Sequence, residues 1–325
     1  MKILAEYQNP NESNKTMRQD LFREFLNFFW LRPENALLLA LRAEVYRSTF
    51  DKFGDGSGTL DVSCGDGVFS FIALGGKLTK ETDMFRSLNL TKNREDNFDV
   101  FDAFSEEYFV GVAQEAERAY EYGSDWKENL LAKAKQLDFY KNLLHHDNNF
   151  PLPIEDQKIN YAYSNSAYWV DNFEGHLADL ARVTAPGGRI VLEMKTSEIT
   201  RFTAQNYLPG MGSKFHDIID AGRMGTWKGL RSKEQILKII EQIPNTRVES
   251  VKPIYGDIMA MIWDVGLRPL FYPLSKMANN LTLEQRVHIK DEWCQIFMDL
   301  FSDLLESYEA TDKDAIEYCI ILEKE

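Results

Sequence analysis

The sequence predicts an α/β protein built on a doubly wound, mostly parallel sheet with helical insertions. Three observations carry that expectation. From Thr59 to about Lys195 short apolar strands alternate with helical patterns, as crossover helices between parallel strands require. The first strand, Thr59–Val62, passes into a tight turn with Gly65 and Gly67 and then into an apolar helix opening. Such a turn aims backbone N–H groups and a helix N-terminus at a nucleotide-like ligand. The next two strand candidates run towards Asp125 and Asp147, and ligands of open α/β sheets lie outside the carboxyl ends of the strands.

The elements follow in order. Met17, Leu21, Phe25, Leu26 and Phe29 keep helical spacing, and Pro33 suits the first turn of a second helix through Val45. Gly54, Gly56 and Gly58 form a loop into the first strand. The second strand is Tyr120 to Asp125, with a helix over Lys127–Leu137. The third runs through Phe139–Leu144. The fourth is Ile159–Tyr163, followed by a helix over Glu174–Val183. Pro186-Gly187-Gly188 reads as the turn before a fifth strand, Arg189–Met194. Ser232 caps a helix to Gln242, with Gln235 completing a capping box. Val248–Ile254 is a sixth strand and Ala315–Leu322 the last. These elements divide into a helical cap over 1–55, a ligand-binding core over 56–195 with an insertion at about 76–118, and pocket segments with the last strands over 196–325.

Composition narrows the function. The 325 residues allow a sizeable core, and 44% hydrophobic with 27% charged residues fits a soluble protein. The net charge of -14 argues against nucleic acid as a partner. Cys64, Cys294 and Cys319 are scattered, which fits a reducing cytoplasm and no metal site. The N-terminal residues lack the apolar core of a signal peptide. The run Ala36–Ala43 is far shorter than the roughly 20 residues of a membrane span. Trp293, Ile296, Phe297, Leu300, Phe301, Leu304 and Leu305 form one stripe at helical spacing. Its acidic flanks favour core or homodimer packing over a lipid surface.

The chemistry is carried by four motifs. A nicotinamide fingerprint needs GxGxxG, and the third position here is Ser70. Asp61 sits inside the strand before the turn. DxxxGxG with an apolar helix resembles motif one of the class I S-adenosylmethionine-dependent methyltransferases, with Ser63 where that family usually has glycine. The resemblance implies a seven-stranded Rossmann-like methyltransferase fold and S-adenosylmethionine as cofactor. Asp61, Ser63, Cys64, Gly65 and Gly67 then cradle the methionine moiety. The acid for the ribose hydroxyls has two candidates. Asp83 has the expected separation, but its leader KLTKET makes a poor buried strand. Asp125, followed by Trp126 and the amphipathic WKENLLAKAKQL, is the choice. In HHDNNFPLP, Asp147 and Asn148 fall where the family holds adenine. His145 and His146 point to opposite faces of a strand, so a shared metal is not expected.

The fourth motif, Tyr161 to Met194, resembles the family's strand-four exit and the RVxxPGG turn. It makes Asn165 and Ser166 cofactor candidates, Trp169 a substrate contact, and Tyr168 and Asp171 alternative bases. After strand five, His216 is the leading general-base candidate, with Arg223 for an anionic acceptor and Trp227 for a ring. The other reading of His216 is a surface or capping residue. The implied activity is methyl transfer to a small molecule, with O-methylation of a sugar, lipid precursor or secondary metabolite in front. The rivals are a non-catalytic S-adenosylmethionine-binding partner subunit and a nucleotide-cofactor oxidoreductase.

Overall fold

The computed structural model describes residues 17–54, 57–86, 108–220 and 229–325. The chain enters through two helices. α1 (Met17–Phe29) buries Leu21, Phe22, Phe25, Leu26 and Phe28. α2 (Pro33–Phe53) is buried on nearly every side, from Ala36 and Leu37 to Thr49 and Phe50. A helix buried on most of its sides belongs between layers, and α2 lies between the sheet and α1. The expected end at Val45 is corrected to Phe53, because Tyr46, Thr49 and Phe50 keep facing inward among charged neighbours.

Strand β1 (Thr59–Val62) is buried throughout and leads into α3 (Val68–Ala73). The insertion holds β2 (Lys77–Leu78) and β3 (Val112–Gln114), an antiparallel pair apart from the main sheet. Then come β4 (Tyr120–Asp125), α4 (Glu128–Ala134), β5 (Tyr140–His145), β6 (Ile159–Ser164), α5 (Phe173–Val183) and β7 (Thr184–Lys195). The helix expected to reach Leu137 tightens into a 3₁₀ turn at Lys135–Leu137. Pro186-Gly187-Gly188 is not a turn before the strand. It lies inside β7, where the pairing slips from Ile159–Thr184 to Tyr161–Arg189 and Gly187 takes φ +80°. Extra residues on one strand at a glycine are how a ladder absorbs a bulge.

The chain continues through α6 (Ala204–Tyr207), α7 (Ser213–Asp220) and α8 (Lys233–Ile240). α8 carries the expected capping box, Ser232 with Gln235. β8 (Thr246–Gly256), α9 (Asp257–Val265), α10 (Phe271–Asn279), α11 (Leu283–Ser307) and β9 (Ala315–Lys324) complete it. Only part of the Trp293 stripe of α11 is covered: the Trp293 ring meets Trp30, just after α1, edge-on at 6.0 Å, and Phe301 meets Phe22 of α1 at 6.1 Å. Ile296 and Leu300, expected in the same stripe, are exposed because they lie on the flank of α11 turned away from that contact. No helix among the described residues is long and apolar enough to cross a membrane.

The main sheet has seven strands in the order β5-β4-β1-β6-β7-β9-β8. The five strands from β5 to β7 run parallel, and β9 is antiparallel to both β7 and β8. All seven strands read from the sequence are in it. From β1 the chain winds to β4 and β5 on one side, then returns to β6 and β7 on the other. The β1–β6 boundary is therefore the switch point where such sheets open a crevice.

One face of the sheet packs against α5 and α8 with aliphatic side chains such as Leu60, Val62, Ala162, Ile190 and Leu192. The other face, under α2, is different. There Tyr140, Tyr120, Asp61, Tyr161, Tyr163, Glu193, Glu317 and Tyr255 are all buried. Their polar atoms pair with one another and with α2, because a buried polar group without a partner is costly. Tyr46 OH donates to Tyr120 OH at 2.8 Å, Thr49 pairs with Tyr161 OH at 2.9 Å, and Tyr163 OH donates to Glu193 at 2.7 Å.

Candidate functional site

The loops that follow β1, β4, β5 and β6 meet at the switch point. The first is Ser63–Gly67. Ser63 takes φ +57°, Gly65 +61° and Gly67 +77°, the left-handed region that glycine enters freely and other residues at a cost. Ser63 bears that cost, and its hydroxyl accepts from Asn148 Nδ2 at 2.7 Å. The two glycines serve different ends. A Cβ on Gly65 would meet nothing within 4 Å, so its backbone borders open space. A Cβ on Gly67 would lie 2.8 Å from the Tyr140 ring.

A contrast follows from this. Gly67→Ala is expected to destabilise the fold by about 2 kcal/mol or more through left-handed strain plus the clash. Gly65→Ala carries the strain alone, about 1–2 kcal/mol, but places a methyl group in the open space of the candidate site. Urea unfolding beside ligand titration checks the split; equal losses of affinity in the two variants would refute it.

Asp125, at the end of β4, ties the loops together. Its Oδ2 accepts from Gly65 N–H at 3.1 Å and its Oδ1 from Lys127 N–H at 2.9 Å. The Asp125 carbonyl accepts from His146 N–H at 2.9 Å, and the Trp126 carbonyl pairs with His145 Nε2 at 2.8 Å. The Trp126 ring stands 61% exposed at the rim. Asp147 is exposed, and its Oδ1 accepts from the backbone and side chain of Asn149. Asn148 reaches across to Ser63 while its own Oδ1 is buried without a partner. The hydroxyls of Ser124, Ser164 and Ser166 are likewise buried and unpartnered. Buried polar atoms without partners in the loops beside a glycine turn that borders open space are what a candidate site for a polar ligand would present.

Asp61 is the acid beneath this loop. It is 2% exposed, and its Oδ2 accepts from Ser70 Oγ at 2.6 Å and Tyr140 OH at 2.7 Å. Burial pushes its pKa up to about 6 against those hydrogen bonds, and nearby Asp125 adds to the rise. The folded chain thus holds more protons than the unfolded chain between about 4 and 6, so stability falls as pH rises through that window. On the order of 3 kcal/mol is at stake. Asp61→Asn is expected to be more stable than the parent at about pH 7.5 and to lose that advantage near pH 4. Denaturant midpoints at both pH values decide it, and a less stable variant at neutral pH would show that the ionised form supports the fold.

The other candidates are dispersed. Asn165 is half-buried and Ser166 buried, both in the loop after β6 at the switch point. Tyr168 is buried beneath that loop. Burial raises its pKa well above the ordinary tyrosine value although the Arg42 guanidinium pulls the other way. Trp169 is exposed with its ring 5.0 Å from that of Tyr168, and Asp171 is exposed just before α5. His216, on α7, lines a separate cavity of about 20 Å³ with Thr203, Ile219 and Asp264. Both its ring nitrogens are buried and unpartnered there, and none of those neighbours belongs to the strand-end loops. Arg223 and Trp227 lie outside the described residues. Asp83 is far from the loops in role: its Oδ2 accepts from Trp30 Nε1 at 2.9 Å and Arg286 Nε at 2.6 Å. Among the described residues no three His, Cys, Asp or Glu side chains form a metal cluster.

Sequence reasoning missed Glu193. It is fully buried and accepts from Tyr163 through Oε2, while Oε1 has no partner. The signal was present: an acid at an inward position of RIVLEMK, a strand apolar enough to be buried on both faces.

No family model matches the chain, and no curated protein sequence matches it. Among solved structures the chain is similar to the cyclase SpnF, at 12% identity and TM-score 0.42, covering 87% of this chain and 81% of that one. It is similar to geranyl diphosphate C-methyltransferase from Streptomyces coelicolor A3(2), crystallised with Mg2+, geranyl diphosphate and S-adenosyl-L-homocysteine, at 11% identity and TM-score 0.40, covering 89% and 82%. A third is a SAM-dependent methyltransferase from Thermotoga maritima, at 11% identity and TM-score 0.42, covering 93% and 99%.

Proposed function

We propose that the chain is an S-adenosylmethionine-dependent methyltransferase acting on a small molecule, with O-methylation of a sugar, lipid precursor or secondary metabolite as the leading reaction. The observation that supports it most is the Asp125–Gly65 hydrogen bond at the switch point. It joins the glycine loop to the acid that the motif resemblance assigns to the ribose hydroxyls. A nicotinamide site is disfavoured by Ser70, which spends its hydroxyl on Asp61.

The candidate site fits the cofactor in donor type. Asp125 would take the ribose hydroxyls, Asp147 and Asn148 the adenine edge, and Gly65 the close approach of the methionine end. Trp126, exposed at the rim, would offer a ring face to the base. When bound, S-adenosylmethionine supplies a methyl group on a sulfonium that is its own leaving group. The protein's tasks are then alignment and water exclusion. The strand-end loops would hold one reactant in place, above the buried face where Tyr46 of α2 packs on Tyr163 of β6. His216, Tyr168 and Asp171 stand as base candidates, Trp169, Arg223 and Trp227 as acceptor contacts.

Calorimetry with S-adenosylmethionine, S-adenosylhomocysteine and NADP tests the reading. Binding of both sulfur ligands without NADP supports it, and binding of neither sulfur ligand refutes it. His216→Ala with unchanged turnover would remove that residue from the catalytic set.

A further inference from the structure

The face of the sheet under α2 carries an unbalanced set of buried charges. Glu193 lies two residues from the carboxyl end of β7. Asp61 of β1 is the register partner of Tyr163 on β6, and Tyr163 donates to Glu193, so one tyrosine stands between the two acids. Glu317 of β9 is the third acid. It is bound by Arg42 of α2 through Nε and one terminal nitrogen and by Tyr255 OH at 2.6 Å. The second cation is Lys195, buried with its Nζ 4.5 Å from the Trp263 ring and 5.9 Å from that of Tyr168. Tyr161, Tyr168 and Cys319 also face Glu193 from β6, the following loop and β9. With Asp125, buried at the end of β4 and acting on Asp61, four acids among the described residues here share two cations. Full ionisation would leave two negative charges buried without compensation, which a protein interior resists. A proton removes one of them in the ligand-free chain: burial pushes Glu193 up to about 8, with Glu317 and Asp61 adding to the rise and Arg42 opposing it. The unpartnered Oε1 of Glu193 is the atom with room for that proton.

We propose that Glu193 lets the site sense the charge on the cofactor's sulfur, binding the sulfonium donor with release of a proton that the neutral thioether product leaves in place. This rests on the methyltransferase reading above. The ammonium and carboxylate of the two ligands cancel, so they differ by the single sulfonium charge. A cation placed above this face does the work of the proton and expels it to solvent. The product does not, so the acid takes its proton back as the methyl group departs. Glu193 is thereby a specificity-determining residue that acts through its field.

The test uses the full chain and both sulfur ligands. Calorimetric titrations at about pH 7, in buffers of different ionisation enthalpy, give the protons released per ligand bound. A one-unit fall in the Glu193 pKa from about 8 corresponds to roughly 0.4 proton at that pH. S-adenosylmethionine is expected to release a few tenths of a proton more than S-adenosylhomocysteine, and Glu193→Gln to bind both ligands with the difference gone. Equal proton release in the parent, or a difference that survives in Glu193→Gln, overturns the proposal and leaves the methyltransferase reading standing. Binding of neither ligand fells that reading and the proposal with it. Tyr163→Phe gives a second route if Glu193→Gln does not fold. Losing the Tyr163 hydrogen bond, which lowers the Glu193 pKa, must move the pH of greatest difference upward, and no movement is a refutation.

Discussion

Asp125→Ala is expected to weaken binding of S-adenosylmethionine and S-adenosylhomocysteine by roughly ten- to a hundredfold. The estimate comes from hydrogen bonds to a charged group, worth about 1.5–3 kcal/mol together with the lost support of the loop. The carboxylate has two jobs at once. It holds Gly65 N–H and Lys127 N–H at 3.1 and 2.9 Å, and in the proposed complex it takes the ribose hydroxyls. Asp125→Asn keeps a carbonyl oxygen for one of the two N–H groups and should fall between alanine and the parent. The measurement is calorimetric affinity on protein shown to be folded by its unfolding midpoint. An alanine variant that binds within threefold of the parent would move the ribose site elsewhere.

Asp83→Ala should do the opposite. Here the loss is expected in stability, about 3–5 kcal/mol, with affinity per folded molecule unchanged. Asp83 is a buried carboxylate whose Oδ2 receives Trp30 Nε1 and Arg286 Nε, and whose Oδ1 receives Phe85 N–H at 2.8 Å. Removing it leaves the Arg286 guanidinium buried without its acid, the case in which breaking a buried pair costs most. Lys290 adds a second clamp nearby, its Nζ donating to Asn27 and to the Thr82 carbonyl. These contacts fasten the insertion between α1 and α11. Denaturant unfolding of Asp83→Ala against the parent gives the number. Replacing both partners by apolar residues, Asp83→Leu with Arg286→Met, should recover part of the loss, because no lone charge remains. A single variant as stable as the parent would mean that the pair contributes nothing net.

The two acids show how far sequence alone reaches. Asp83 and Asp125 both stand downstream of the glycine turn, and only their flanks separate them: KLTKET against an aromatic leader and an amphipathic helix. That local contrast sufficed to favour Asp125. It could not reveal what Asp83 does, since its partner Arg286 lies 203 residues along the chain. The position of Asn148 in the third motif was legible as well. Its bond to Ser63, which lets a non-glycine residue sit at φ +57°, was not.

What the sequence determined by itself is the set of local events. Seven strands, the glycine turn, the capping box at Ser232 and the acids at the strand ends follow from side-chain period, turn chemistry and propensity, all of which act over a few residues. What only the tertiary structure decided is the charge pattern beneath α2. Arg42 meets Glu317 across 275 residues, and Tyr163 meets Glu193 from the neighbouring strand. Alternation says which side chains face inward, but not which ionisable groups find each other there. That depends on strand order, and strand order is settled by long-range packing in which every pair of strands competes with the others.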